Sequence, residues 1–271
     1  MKANTRRGNR LAFDEVAAVY DQARPGIPDH LVTTIVDITG LAPSDPVLEV
    51  GAGTGQLTMP LRAAGVEVTA VEPGERLRAL LSKRTAGDSG VTVLGGFFED
   101  LPDLQAPAGT FAAVVSANAW QWLDPSVSYT KAADLLRPGG HLALIWNFPI
   151  VADTRLQHEL NKRAFGDYPD AVRDPATHLP GLQAHAAEGR AELAASDRFE
   201  TPWWQFTTDT LSLSPDAYYD LLLSYANAAV LDAAARTDMA HRVHTVLTDH
   251  GADTVPMLNH LYACIARRAD R

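Results

Sequence analysis

The chain has 271 residues, of which 46% are hydrophobic, and this is enough for one large domain or for a domain with a cap. Its 33 acidic and 23 basic residues give a net charge of −10, which argues against a nucleic-acid partner because such partners require a basic surface. The one cysteine, Cys264, excludes an internal disulfide and favours a reducing, cytoplasmic location.

The N-terminal segment is predicted to contain a disordered tail over residues 1–11 and two helices. The tail lacks the hydrophobic region of a signal peptide, and no apolar run elsewhere is long enough to span a membrane, so we expect no membrane partner. Residues 12–23 place apolar side chains at helical spacing, and Arg24-Pro25-Gly26 end this helix. A second helix is predicted from Ile27 to Thr39, closed by Gly40.

The sequence V-L-E-V-G-A-G-T-G-Q-L-T, from Val47 to Thr58, is the centre of the chain. An apolar run followed by glycines at alternate positions predicts a buried parallel strand that turns sharply over a ligand. Gln56 stands where a dinucleotide fingerprint has its third glycine, and the Lys-Ser/Thr pair of a P-loop is missing. Glu49 would oppose a pyrophosphate, but it suits a ligand with ammonium and sulfonium charges, such as S-adenosylmethionine (SAM).

The second strand, V-E-V-T-A-V-E from Val66 to Glu72, ends on a carboxylate. Glu72 lies 17 positions after Gly55, about where a doubly wound fold places the acid that binds a ribose diol. With this pattern the chain resembles the class I SAM-dependent methyltransferases, in their broad small-molecule branch, over about residues 13–147. The resemblance implies an α/β fold with a Rossmann-like, mostly parallel seven-stranded sheet flanked by helices. For the glycine loop alone, the alternative is a site for NAD or another nucleotide.

The same resemblance implies SAM as the cofactor and S-adenosylhomocysteine as its product, and no metal is expected because the residue spacings do not match a metal site. The segment F-D-x-x-A-x-x-Y-D-x-x-R-P folds over the methionine half of SAM in similar methyltransferases, which makes Tyr20 and Arg24 candidate contacts. Alternatively, Tyr20 belongs to the core and Arg24 forms a surface ion pair. The implied cofactor-binding residues are Tyr20, Arg24, Glu49, Gly51, Ala52, Gly53, Thr54, Gly55, Gln56, Glu72, Pro73, Phe97, Phe98, Glu99, Asn118, Ala119 and Trp120.

The adenine-binding part of this set departs from the family pattern. Similar proteins have a glycine, a polar residue, a small residue and an acid after the third strand, which is predicted here from Val91 to Leu94. Phe97 occupies the position of the polar residue. We therefore expect ring stacking and backbone groups to hold the adenine, with Glu99 as the partner of its amino group. Alternatively, Phe97 and Phe98 pack in the core.

The fourth strand, predicted from Thr110 to Ser116, leads into N-A-W-Q-W-L-D-P. Ligands bind at the carboxyl ends of strands in open α/β sheets, so this segment is expected to line the active site. Related sequences often read A-W-H-W-F-D here, and Gln121 replaces their histidine. The most obvious local general base is therefore missing, and the catalytic residue stays unknown, with Tyr20 and Gln121 as candidates.

Aromatic residues cluster near the same strand ends. A helix is predicted from Ser126 to Leu136, followed by a turn and a fifth strand from Leu136 to Asn147. We expect a flat, apolar acceptor pocket walled by these aromatic residues. Alternatively, most of the tryptophans belong to the core. The predicted substrate-binding residues are Trp120, Trp122, Trp146, Asn147 and Phe148, with Trp203 or Trp204 as further candidates.

The domain organisation is predicted as a tail over residues 1–11, a SAM-binding core with N-terminal lid helices over 12–147, a helical cap over 148–198, and strands and helices that complete the sheet over 199–271. The cap is predicted because insertions of this length between late elements of a compact sheet are usually functional or disordered. Its histidines do not have the spacing of a metal site. Helices are expected over 215–231 and 232–249, and strands within 199–212 and over 257–267.

The sequence thus predicts transfer of a methyl group from SAM to a small-molecule acceptor, with an aromatic or indole-like natural product as the expected class. A sulfonium methyl group is already activated, so the protein mainly aligns donor and nucleophile. The first alternative is O-methylation of a small carboxylic acid. The second is SAM binding without methyl transfer, as in a pericyclase-like or regulatory protein. An oxidoreductase is a further alternative, against which Gln56 argues.

Overall fold

The structure is a computed structural model that describes residues 11, 13–101, 106–165, 175–225 and 231–270, with the backbone only for residues 175–182. The predicted tail, apart from Leu11, lies outside this range. The described chain forms one mixed sheet of seven strands in the order β3-β2-β1-β4-β5-β7-β6. The strands are β1 (Pro46–Val50), β2 (Glu67–Glu72), β3 (Val91–Gly95), β4 (Phe111–Ala117), β5 (Leu136–Val151), β6 (Trp203–Leu213) and β7 (Val255–Arg267).

The sheet confirms the predicted Rossmann-like fold. Strands β1 to β5 are parallel, while β7 lies antiparallel to both β5 and β6. The strand predicted to end at Asn147 is longer, because residues 148–151 pair with Met257–His260 of β7. The helices in the described ranges are α1 (Ala17–Ala23), α2 (Asp29–Thr39), α3 (Thr58–Ala63), α4 (Glu75–Arg84), α5 (Pro125–Leu135), α6 (Thr154–Glu159), α7 (Pro175–Ala195), α8 (Pro215–Leu223) and α9 (Ala233–Asp249).

Each face of the sheet has its own apolar cluster because successive strand residues point to opposite faces. On one face, Trp146 and Cys264 pack with residues of α5 and α7. On the other face, Ile145 and Ala263 pack with residues of α2 and α3. Helix α3 begins after Leu57, so Pro60 falls in its first turn, where the missing N–H has no partner to lose.

The segment predicted as a cap packs in two places. Helix α6 and the π-helical turn that follows it, Leu160–Ala164, form a third apolar cluster with α8 and α9. Helix α7 instead covers the sheet beside β5, where a Cβ atom on Gly189 would lie 2.8 Å from the ring of Trp146. Among the described helices, none is both long and apolar enough to cross a membrane.

Candidate functional site

The glycine loop after β1 adopts the sharp turn that its sequence predicts. Gly51, Gly53 and Gly55 have φ angles of +73°, +59° and +99°, which residues with a Cβ atom rarely adopt. A Cβ atom on Gly51 would lie 2.3 Å from the Cβ atom of Ala119, so the loop is in tight contact with the segment after β4. The loop therefore brings the carboxyl ends of β1 and β4 together.

Glu72, at the end of β2, holds this loop in place. Its Oε2 atom accepts the N–H of Gly53 at 2.8 Å, and its Oε1 atom accepts the N–H of Gly74 at 2.8 Å. Burial raises the pKa of the carboxyl group, and the two backbone hydrogen bonds oppose that rise. Glu72 thus has a structural role beside the predicted one, in which it accepts a ribose diol.

Glu49 is buried beneath the loop, with 1% of its surface exposed. Its Oε2 atom accepts the hydroxyl hydrogen of Thr58 at 2.5 Å. Burial raises the pKa of the Glu49 carboxyl to about 8, although the hydrogen bond from Thr58 lowers it. Burial thus favours the protonated form of Glu49 at neutral pH.

A cavity of about 370 Å³, here called the glycine-loop cavity, opens above Glu49. It lies between the carboxyl ends of β1 and β4, Asn147 within β5, and the segment around α1. The cavity brings together seven of the predicted cofactor residues and one predicted substrate residue: Tyr20, Arg24, Glu49, Gly51, Ala52, Gln56, Asn118 and Asn147.

Arg24 lines the glycine-loop cavity and contacts two residues that follow α8. Its guanidinium carbon lies 4.1 Å from the ring centroid of Tyr225 and 5.2 Å from that of Tyr20, and its Nη2 atom donates to the carbonyl of Ser224 at 3.4 Å. Within the described chain, the Arg24 guanidinium thus contacts two aromatic rings and a backbone carbonyl, and no carboxylate. Burial raises the pKa of the Tyr20 hydroxyl, and the Arg24 charge opposes this. Sequence reasoning missed Ser224 and Tyr225.

Two asparagines link the end of β4 to β5. Asn118 has a φ angle of +54°, and its Oδ1 atom accepts the backbone N–H of Asn147 at 2.9 Å. Its Nδ2 atom donates to Oδ1 of Asn147, whose own Nδ2 atom donates to the carbonyl of Pro25 at 3.4 Å. This chain of hydrogen bonds connects the segment after α1 to the sheet.

Gln121, a candidate catalytic residue, has both ends of its amide group engaged. Its Nε2 atom donates to the carbonyl of Asn118 at 2.9 Å, and its Oε1 atom accepts the indole N–H of Trp146 at 3.0 Å. The orientation of the amide is fixed, because an indole nitrogen only donates and a backbone carbonyl only accepts. In this arrangement Gln121 positions its neighbours and has no basic atom for proton transfer.

Two of the predicted adenine-binding residues, Phe98 and Glu99, contact other parts of the protein. Phe98 is 2% exposed and lies in the core, with its ring centroid 6.1 Å from that of Trp120, as the core-packing alternative predicts. Glu99 accepts the backbone N–H of Asp124, the residue before α5, at 3.0 Å. One oxygen of Glu99 is therefore engaged in holding α5, and its contact with adenine stays a prediction.

The predicted aromatic pocket residues do not share one wall. Trp203 and Trp204 are exposed on the edge strand β6, where Trp204 stacks on Tyr262 at 5.8 Å. The ring centroids of Phe148 and Tyr262 are 5.9 Å apart, and those of Trp122 and His185 are 6.3 Å apart. The aromatic residues that were predicted to form one acceptor pocket therefore lie in separate places along the sheet.

Trp120 and Trp146 do share a second cavity, of about 300 Å³, here called the cap-side cavity. It lies between the Trp120–Trp122 turn, α5 and helix α7, on the α7 face of the sheet. Its polar lining is formed by Gln121, Ser128, His185, Glu188 and Glu192. Within the described ranges, no group of three or more His, Cys, Asp or Glu side chains could hold a metal ion.

Comparisons with known proteins agree with this geometry. Residues 48–144 match the family model described as a methyltransferase domain. An uncharacterized methyltransferase of Mycobacterium tuberculosis is 32% identical over 250 residues, which cover 92% of this chain and 90% of the relative. A protein of Anaeromyxobacter dehalogenans that is proposed to be a type II methyltransferase has a solved structure with a TM-score of 0.63. That structure is 19% identical in sequence, and the match covers 90% of this chain and 97% of the other.

Proposed function

The chain belongs to the class I SAM-dependent methyltransferases, and we propose that it transfers the SAM methyl group to a small-molecule acceptor with a flat aromatic part, similar to an indole. The glycine-loop cavity is the proposed donor site. The cap-side cavity adjoins it through Gln121, and its walls include the tryptophans Trp120 and Trp146.

The observation that carries the donor assignment is the presence of one acidic and one basic side chain in the same cavity. Glu49 and Arg24 both line the glycine-loop cavity. A carboxylate suits the ammonium and sulfonium charges of SAM, and a guanidinium suits its carboxylate. The Nε atom of Arg24 is buried without a hydrogen-bond partner in the described chain, so a donor is free for a ligand. These residues fit the amino-acid end of SAM.

When bound, SAM supplies a methyl group that its sulfonium already activates. The chain's own contribution is to orient the two reactants and exclude water, which is worth about 7–11 kcal/mol in well-aligned reactions. The nucleophile forms a bond to the methyl carbon as the carbon–sulfur bond breaks, the electron pair stays on sulfur, and any proton on the nucleophile passes to solvent. Because Gln121 offers no base, the site suits nucleophiles that need no prior deprotonation.

The test combines donor binding with an acceptor screen. Calorimetric titration with SAM and S-adenosylhomocysteine is expected to show binding of both, and NADH serves as the control for the nucleotide alternative. Arg24→Met and Glu49→Gln should each weaken SAM binding, whereas Glu67→Gln, at the opposite end of β2, should not. Indoles, phenols and carboxylic acids are then assayed for S-adenosylhomocysteine formation. Turnover of aliphatic acids alone would refute the aromatic acceptor, and binding of SAM without turnover of any compound would favour a binding protein.

A further inference from the structure

We propose that the cap-side cavity binds the acceptor and that this acceptor carries a positive charge beside its aromatic part, as an arylalkylamine does. This assignment rests on the proposed function and narrows it to one substrate class. Four features of the cavity support it: its aromatic walls, a buried hydroxyl group, its charge and its position next to the donor site.

The walls of the cavity are partly aromatic. The space between them is about 300 Å³ when the part open to solvent is included, and Trp120 and Trp146 line it. Gly189 lets helix α7 approach the ring of Trp146 closely, so that the helix forms one wall of the cavity and the tryptophan another. A flat ring bound in the cavity would contact Trp120 and Trp146, both of which line it.

A buried hydroxyl group in the wall indicates a polar ligand. Ser128 on α5 is 0% exposed and lines the cavity. Its Oγ atom has no hydrogen-bond partner among the groups that the structure describes. An unpaired buried hydroxyl costs free energy, and a polar ligand atom in the cavity would recover it.

The charged lining favours a cation. Glu188 and Glu192 lie one turn apart on α7 and both line the cavity, while Arg190 between them points away and lies 4.8 Å from the ring of Trp204. The described lining contains neither lysine nor arginine. Its one other titratable group is His185, whose Nδ1 atom lies 4.0 Å from Oε2 of Glu188. Tyr129 donates its hydroxyl hydrogen to Glu192 at 3.0 Å. An ammonium group is attracted by both carboxylates and by the tryptophan faces, whereas a carboxylate ligand is repelled.

Gln121 places this cavity beside the donor site. Its side chain lines the cap-side cavity, and its Nε2 atom binds the carbonyl of Asn118, which lines the glycine-loop cavity. Trp146 and Asn147 are consecutive residues of β5, whose side chains point to opposite faces of the sheet, and they line one cavity each. An acceptor in the cap-side cavity thus lies next to the strand ends where the donor methyl group is expected.

The experiment compares two probes of one shape and opposite charge, tryptamine and indole propionic acid. Each is titrated into the full-length protein with S-adenosylhomocysteine present. Tryptamine is expected to bind at least tenfold more tightly than the acid. Glu188→Lys should weaken tryptamine binding at least tenfold and leave S-adenosylhomocysteine binding unchanged. Glu67→Lys, on an exposed residue at the far end of the sheet, is the matched control and should change neither.

Ser128→Ala provides a second variant, because the loss of one buried hydroxyl is tolerated by the helix. It should weaken tryptamine binding without changing that of S-adenosylhomocysteine. Equal binding of the two probes, or tryptamine binding that survives Glu188→Lys, would overturn the acceptor assignment while the methyltransferase function stands. If the protein failed to bind S-adenosylhomocysteine, the proposed function itself would be wrong.

Discussion

Thr58 donates its hydroxyl hydrogen to Glu49 across 2.5 Å, at the point where α3 begins beneath the glycine loop. This bond and the burial of both residues determine how the site responds to pH. Because burial raises the pKa of Glu49 to about 8, the carboxyl group must lose a proton before it can neutralise a bound cation.

Affinity for SAM should therefore rise with pH. Below the raised pKa, binding releases a proton from Glu49, so the affinity should increase by up to about tenfold per pH unit between about pH 6 and about pH 8 and then level off. Titrations in buffers with different ionisation enthalpies measure that proton release. Glu49→Gln should remove the dependence, and Thr58→Val should shift it to higher pH. A flat profile in the wild-type protein would show that Glu49 does not face the ligand.

Two variants at Glu72 separate its structural role from its predicted role at the ribose. Glu72→Ala leaves the N–H groups of Gly53 and Gly74 without an acceptor, so the free energy of unfolding should fall by about 2–4 kcal/mol without any ligand. Glu72→Gln keeps one carbonyl oxygen and should lose less. Chemical denaturation measures both values. Equal stability of the two variants would contradict the anchoring role of Glu72.

Gln121 can be tested with an isosteric variant. Gln121→Glu keeps an acceptor for the Trp146 indole N–H but places an oxygen against the Asn118 carbonyl. The variant should lose stability as pH rises through the ionisation of the new carboxyl group, since only its protonated form can donate to that carbonyl. Gln121→Ala should cost about 1–3 kcal/mol at every pH, because both partners lose their bond. Thermal unfolding followed by tryptophan fluorescence distinguishes the two patterns.

Gly189 should resist substitution even though it lies in a helix. In Gly189→Ala, the new Cβ atom would lie 2.8 Å from Trp146 Cη2, an overpacking that costs about 1–3 kcal/mol. The higher helix propensity of alanine offsets about 1 kcal/mol of this cost, so we expect the free energy of unfolding to fall by up to about 2 kcal/mol. Gly26→Ala, where no atom lies within 4 Å of the new group, is the control and should stay within about 1 kcal/mol of wild type. A Gly189 variant more stable than wild type would contradict the close packing of α7.

The features that the sequence predicted correctly are mostly local ones. The glycine turn could be read from residues within one strand and one loop, because alternate glycines after an apolar run have few other uses. The extension of β5 to Val151 could not, since it depends on pairing with β7, more than 100 positions further along the chain. Contacts such as that of Arg24 with Ser224, and the position of Ser128 in a cavity wall, join distant segments and leave no periodic signal in the sequence.

The buried thiol of Cys264 can be used to measure how often the packing around it opens. Cys264 is 1% exposed, packs in the cluster that includes Ala186 and Leu193 of α7, and has a pKa raised to about 11 by burial. A thiol reagent can therefore modify the chain only after this cluster opens, and no second cysteine contributes to the signal. The labelling rate of the unaltered protein measures how often α7 lifts from the sheet, and a ligand that holds α7 in place will slow it.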